Sequence, residues 1–242
     1  QIHALVLFLK GMKKEEVPER YLMTKLYPRQ REIDDGRRFV DRLSCKGCHT
    51  IEGEGRLIEP IVGSDKAPPV LDGIGARVRS DWMFHFLKDP TSTKIRPWID
   101  VRMPTFHFSD SQANTVIQYF SALDKVPPAF STSPAAPSSP EMVAVGAKLA
   151  SPDYFSCFSC HIQGEKTPLS SPEQWGPDLA LARERIRYEF ISEWVKDPQR
   201  FTPGVKMPAF LPTDDAAVPD ILGGSRQKQA EALRDYLMSL RK

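Results

Sequence analysis

The chain has 242 residues, with 33 basic and 31 acidic side chains and a formal charge of +2. No basic excess points to nucleic acid, and no run approaches the roughly 18 apolar residues that a membrane span needs. Apolar content of 40% and charged content of 26% are normal for a globular protein, and the length favours one to two domains.

The chain opens on an apolar stretch, Ile2–Leu9, too short to cross a bilayer. Its pattern reads like the helix over Thr115–Phe120, and Met12 through Pro18 resembles the tail after it. Residues 1–28 are therefore expected to be a helical leader and arm. It is either the closing helix of an earlier unit or an ordinary packing helix. Gln1 is not an initiator, which suggests a processed chain or a piece of a longer protein.

A repeated pattern follows. Gly36-Arg37-Arg38-Phe39 opens a helix that delivers Cys45-Lys46-Gly47-Cys48-His49. Pro69-Val70-Leu71 and an arginine pair, Arg77 and Arg79, come next. A helix over Trp82–Lys88 then stops at Asp89-Pro90, because proline cannot continue it. Arg102-Met103-Pro104-Thr105-Phe106 reads as a loop. An amphipathic helix over Asp110–Leu123 closes the unit, with Val116, Ile117, Phe120 and Leu123 at helical spacing.

Residues 127–140 are rich in Pro, Ser and Ala and read as a semi-extended linker. The pattern then returns. Gly146-Ala147-Lys148-Leu149 precedes Cys157-Phe158-Ser159-Cys160-His161. Pro177-Asp178-Leu179, Arg185 and Arg187, Phe190–Pro198, Lys206-Met207-Pro208-Ala209-Phe210 and a helix over Ser225–Leu240 complete it. The expected divisions are 1–28, 29–126, 127–140 and 141–242.

Both Cys-x-x-Cys-His motifs are attachment signatures for a c-type haem, and they use all four cysteines. Two haem c groups are the expected cofactors; their propionates take the formal charge to about −2. Zinc or an iron–sulfur centre fits poorly, because a histidine directly after the second cysteine aims badly at the same metal. His49 and His161 are the expected proximal iron ligands, each ring oriented by a carbonyl. Met103 and Met207 share one loop context in both repeats and are the expected second ligands, the soft thioether favouring reduced iron.

Met12, Met23, Met83, Met142 and Met238 lack that context, and Met83 reads as core. His85 and His107 are rivals for the first iron, and His3 lies on the leader. Leu71, Trp82, Phe86, Trp98 and Phe106 are candidate haem walls in the first unit; Leu179, Phe190, Trp194 and Phe210 are those of the second. Arg77, Arg79, Arg185 and Arg187 are either propionate partners or solvated helix starts. Lys88 and Lys196 read as surface residues near a docking rim.

With these motifs in hand, residues 29–242 resemble the class I cytochrome c superfamily, in the form of a tandem di-haem c-type cytochrome. The resemblance implies an all-α fold of two tandem domains, each an N-terminal helix, a haem-binding turn, a middle helix, a methionine loop and a C-terminal helix. It also implies single-electron relay between redox protein partners at an extracytoplasmic site such as the periplasm. It further implies a partner within a membrane respiratory complex, such as a quinol-oxidising subunit. The enzyme alternative, a peroxidase or small-molecule oxidoreductase, would need one open iron and an acid–base group over it; no residue stands out in that role.

Overall fold

The computed structural model describes residues 2–12, 27–128 and 139–241. Helix starts follow local chemistry. Pro28 and Pro140 occupy first helical positions, where a missing N–H costs nothing. Ser109 and Gln112 form a capping box, Gln112 N donating to Ser109 Oγ at 3.2 Å and Ser109 N to Gln112 Oε1 at 2.9 Å. Ser139 and Ser225 accept from Met142 N and Lys228 N in the same way.

The leader helix α1 (Ile2–Met12) comes first, leaving Ile2, Leu5, Phe8 and Leu9 exposed. The expected arm over 13–26 lies outside the described residues. The first repeat holds α2 (Pro28–Arg42), α3 (Glu59–Val62), α4 (Ile74–Arg77), α5 (Ser80–Lys88) and α6 (Asp110–Leu123). The second holds α7 (Pro140–Ala150), α8 (Ala182–Arg185), α9 (Tyr188–Lys196), α10 (Pro198–Phe201) and α11 (Arg226–Ser239). Most of the linker, 129–138, lies outside the described residues. Its last two residues do not belong to a linker: Ser139 and Pro140 begin α7.

The fold is predominantly helical. One feature departs from the all-α expectation: β1 (Thr50–Ile51) pairs with β2 (Glu54–Gly55) in a small antiparallel hairpin. Glu52 and Gly53 turn it, both with positive φ, 55° and 76°, as a type I′ turn requires. Asp72 holds the turn by accepting from Glu52 N at 2.6 Å and Gly53 N at 3.0 Å.

In each repeat the first helix crosses the last at a glycine. A Cβ on Gly36 would lie 2.1 Å from Tyr119 Cβ, and one on Gly146 would lie 2.0 Å from the Ala232 carbonyl oxygen. Only glycine lets the backbones approach this closely. Buried apolar side chains gather in two clusters. One includes Phe39, Val40, Ile51, Met83, Ile117 and Phe120; the other includes Leu149, Ile191, Val195, Leu211, Leu233 and Met238. Burial of one such side chain contributes roughly 1.5–3 kcal/mol.

The two repeats touch. Val78 and Ile186 form an antiparallel bridge; Arg79 N donates to Arg185 O and Arg187 N to Arg77 O, both at 2.9 Å. The Arg187 guanidinium reaches Val78 O, Ser80 Oγ and Pro127 O. Trp98 meets Trp175 edge-on at 5.6 Å, and Lys206 pairs with Asp65 at 2.8 Å.

Candidate functional site

Each cysteine pair sits on one tight helical turn, Cys45–Gly47 and Cys157–Ser159, entered through a left-handed serine: Ser44 at φ 55° and Ser156 at φ 51°. The turn brings the histidine back: His49 N donates to Cys45 O at 2.9 Å and His161 N to Cys157 O at 3.0 Å. All four thiols are free. Burial pushes the Cys45 thiol up and the Cys157 thiol up to about 11.

The imidazoles are held identically. His49 Nδ1 lies 2.8 Å from Pro69 O and His161 Nδ1 lies 2.8 Å from Pro177 O. A carbonyl only accepts, so Nδ1 carries the proton and Nε2 presents its lone pair. Burial pushes both rings below the ordinary histidine range, keeping them neutral. The segment after each proline pairs with the residue after each histidine: Leu71 N donates to Thr50 O and Leu179 N to Ile162 O. Gly176 packs on the His161 ring, where a Cβ would come within 2.5 Å of Cε1.

Met103 and Met207 lie on non-helical loops, partly buried against the first and second clusters. Trp194 Nε1 donates to Met207 Sδ at 3.1 Å. Trp82 stacks on Phe86 at 4.8 Å, Phe106 on Phe108 at 5.3 Å, and Phe190 tilts against Trp194 at 5.8 Å and meets Phe201 edge-on at 5.0 Å. Phe210 lies 5.1 Å from Phe155. Leu71 packs against the first cluster, and Leu179 opens the turn before α8. Trp98, a candidate wall of the first unit, meets Trp175 of the second edge-on.

Arg77 and Arg185 are not solvated helix starts. Their Nε atoms are buried without a hydrogen-bond partner. Arg77 donates to Val70 O at 3.2 Å, while the Arg185 guanidinium crosses the repeat boundary to lie 5.3 Å from the Trp82 ring centroid. Burial, with Arg77 and Arg96 nearby, pushes Arg185 down to about 9. Arg79 instead pairs with Asp81 at 2.6 Å, and Arg187 serves the bridge between repeats.

His85 is exposed, its Nδ1 2.8 Å from Asp81 O of its own helix. His107 is exposed with φ 53°, and His3 lies on α1. Lys88 keeps its expected surface position, pairing with the exposed Asp110 at 2.7 Å and tying α5 to α6. Lys196 departs from that expectation: it is only 7% exposed and bonds Glu193 and Gln227, linking α9 to the start of α11. Met83 and Met238 are buried in the cores; Met23 lies outside the described residues.

Residues 33–124 match the cytochrome c family model. They form a class I cytochrome c domain carrying the first motif. Searches of curated proteins and of solved structures return no match. The second motif lies beyond the matched segment and repeats the cytochrome's local geometry at the cysteine turn and the histidine. Four free thiols, two imidazoles presenting Nε2 and two buried guanidinium N–H groups lacking an acceptor are a donor set that fits two covalently attached haem c groups with their propionates. The cytochrome c fold with two such motifs supports an electron-transfer role. Among the described residues, no helix is long and apolar enough to cross a membrane.

Sequence reasoning did not single out the Pro69 and Pro177 carbonyls as histidine partners, although both prolines were visible as a repeated pair. Arg96, which donates to Asp65 O and Ala67 O beside the arginine cluster, left no sequence signal.

Proposed function

We propose that this chain is a di-haem c-type cytochrome that relays single electrons between redox protein partners. Its two units, 29–126 and 139–242, are joined by the 127–138 segment. Cys45 and Cys48 would hold one haem and Cys157 and Cys160 the other. His49 with Met103 and His161 with Met207 would ligate the two irons, and the haems would supply a reversible one-electron couple. Arg77 and Arg185 would neutralise propionates, while Trp82 and Phe190 would contribute to the apolar walls.

The carrying observation is the identical histidine anchor in both repeats, 2.8 Å to a proline carbonyl. A neutral ring with a fixed tautomer, together with a soft thioether, would give haem iron a closed, low-reorganisation site. Covalent haem attachment of this type normally occurs outside the cytoplasm, which supports an extracytoplasmic site, the periplasm or its equivalent. Its partners are redox proteins, such as a quinol-oxidising subunit of a membrane respiratory complex.

The test is haem quantification with optical and EPR spectroscopy of the oxidised protein. Two haems per chain, both low-spin with the far-red methionine–iron charge-transfer band, support the relay. A high-spin iron would overturn it and favour an oxidoreductase with an open site.

A further inference from the structure

Several contacts between the repeats fall on the segments that carry the expected iron ligands. Asp65, Lys66 and Ala67 lead into Pro69, whose carbonyl anchors His49. Trp175 leads into Gly176, which packs on the His161 ring, and Pro177, whose carbonyl anchors it. Each segment is met by the methionine loop of the other repeat. Lys206 directly precedes Met207 and pairs with Asp65 at 2.8 Å. Trp98 lies on the non-helical stretch that runs to Met103 and meets Trp175 edge-on at 5.6 Å. Arg96, on that same stretch, donates to Asp65 O at 2.9 Å and to Ala67 O at 3.0 Å. Both methionine loops and both histidine anchors thus meet at one junction.

We infer that this junction couples the two ligand sites: the methionine loop of each repeat braces the histidine anchor of the other, so opening one loop loosens the other site. The inference rests on the proposed His/Met ligation. Trp175 is fixed to its own repeat, its Nε1 donating to Ser170 O at 2.8 Å, and Gly176 N donates to Cys160 O at 2.7 Å. A push from Trp98 is therefore passed to the backbone against His161 and not absorbed by a loose side chain. Asp65 receives from both loops, its carbonyl from Arg96 and its carboxylate from Lys206. The ion pair alone is too weak to carry the coupling. Lys206 and Asp65 are 60% and 49% exposed, and exposed pairs contribute little. The part-buried indole pair and the Arg96 hydrogen bonds supply the stiffness. Coupling between two sites is reciprocal by thermodynamic necessity.

Simple docking of the repeats is the competing explanation. Docking alone predicts lower stability when the junction is cut, with two iron sites that never sense each other. Coupling predicts that an event at one site is read at the other.

The experiment is a titration of the ferric, haem-loaded chain with imidazole, followed through the far-red methionine band. A bond from iron to sulfur gives way to one from iron to nitrogen, and no electron is exchanged. The parent is expected to take up imidazole cooperatively, with a Hill coefficient between about 1 and the two-site limit of about 2. Trp98→Leu with Lys206→Gln should bring it to about 1, with the methionine band intact before imidazole is added. Met207→Ala, which opens the second site outright, is expected to tighten imidazole binding at the first about fivefold. That gain should vanish when the two junction substitutions are added. Hydrogen exchange at the Gly176 amide gives a reading independent of ligand exchange: it should quicken in Trp98→Leu, although the substitution lies in the other repeat. Non-cooperative uptake in the parent, with an unmoved first site in Met207→Ala, would overturn the coupling and leave the ligation standing. A parent without the far-red band would overturn the ligation, and the coupling with it.

Discussion

Arg185 of the second repeat lies over Trp82 of the first, its guanidinium 5.3 Å from the ring centroid. Its Nε is buried without an acceptor, as is that of Arg77. Two like charges brought together inside a protein require an anion or lose stability. Nothing carboxylate in the described residues answers Arg185, and a haem propionate would supply the opposite charge. The cluster belongs to both repeats at once.

This sharing has an electrochemical consequence. Arg185→Gln in the haem-loaded protein removes a buried cation near both units. Removal of positive charge favours ferric iron, so both midpoint potentials are expected to fall, each on the order of 1 kcal/mol. A redox titration checks it. Movement of one wave alone would mean that each arginine serves only its own unit.

The boundary itself is held by Arg187, which donates to Val78 O, Ser80 Oγ and Pro127 O. Arg187→Ala leaves these acceptors without it and is expected to cost about 2 kcal/mol. In calorimetry of the loaded protein, a single transition should separate into two as the repeats uncouple. An unchanged profile would show that the Val78–Ile186 bridge is sufficient alone.

Helix crossing gives the largest expected stability loss. Gly146→Ala places a methyl 2.0 Å from the Ala232 carbonyl oxygen and 2.7 Å from Tyr236 Cβ, so α7 and α11 must separate. The expected destabilisation is about 3 kcal/mol, read as a lower denaturant midpoint with loss of haem-two absorbance before haem one. Gly36→Ala should reverse that order, because its clash is with Tyr119 in the first repeat.

Glu52 offers a pH test. Arg37 donates to it at 2.5 Å and the buried Tyr119 hydroxyl at 3.0 Å. The Arg37 hydrogen bond, then that from Tyr119, holds the carboxyl below its ordinary value of 4.5 despite an opposing burial effect. A lowered carboxyl pKa stabilises the fold above the unfolded value and loses that stability as pH falls through the folded one. Glu52→Gln should therefore cost about 1 kcal/mol at neutral pH, discounted for partial exposure. The gap from the parent should close as pH drops below 4.5. Urea unfolding at neutral and acid pH measures it; a gap that persists in acid would refute the ionic role.

Much of this was legible in the chain itself. Cys-x-x-Cys-His carries its chemistry in adjacent residues, so its meaning survives without coordinates. The helices expected over Asp110–Leu123 and Ser225–Leu240 announced themselves by apolar spacing and are found at Asp110–Leu123 and Arg226–Ser239, because helix formation depends on neighbours three and four positions away. Only the tertiary structure decided that Arg185 crosses into the other repeat, that Lys196 is buried, and that Trp194 gives its N–H to Met207. These depend on how elements distant in sequence approach one another, and a one-dimensional pattern records periodicity but not that approach.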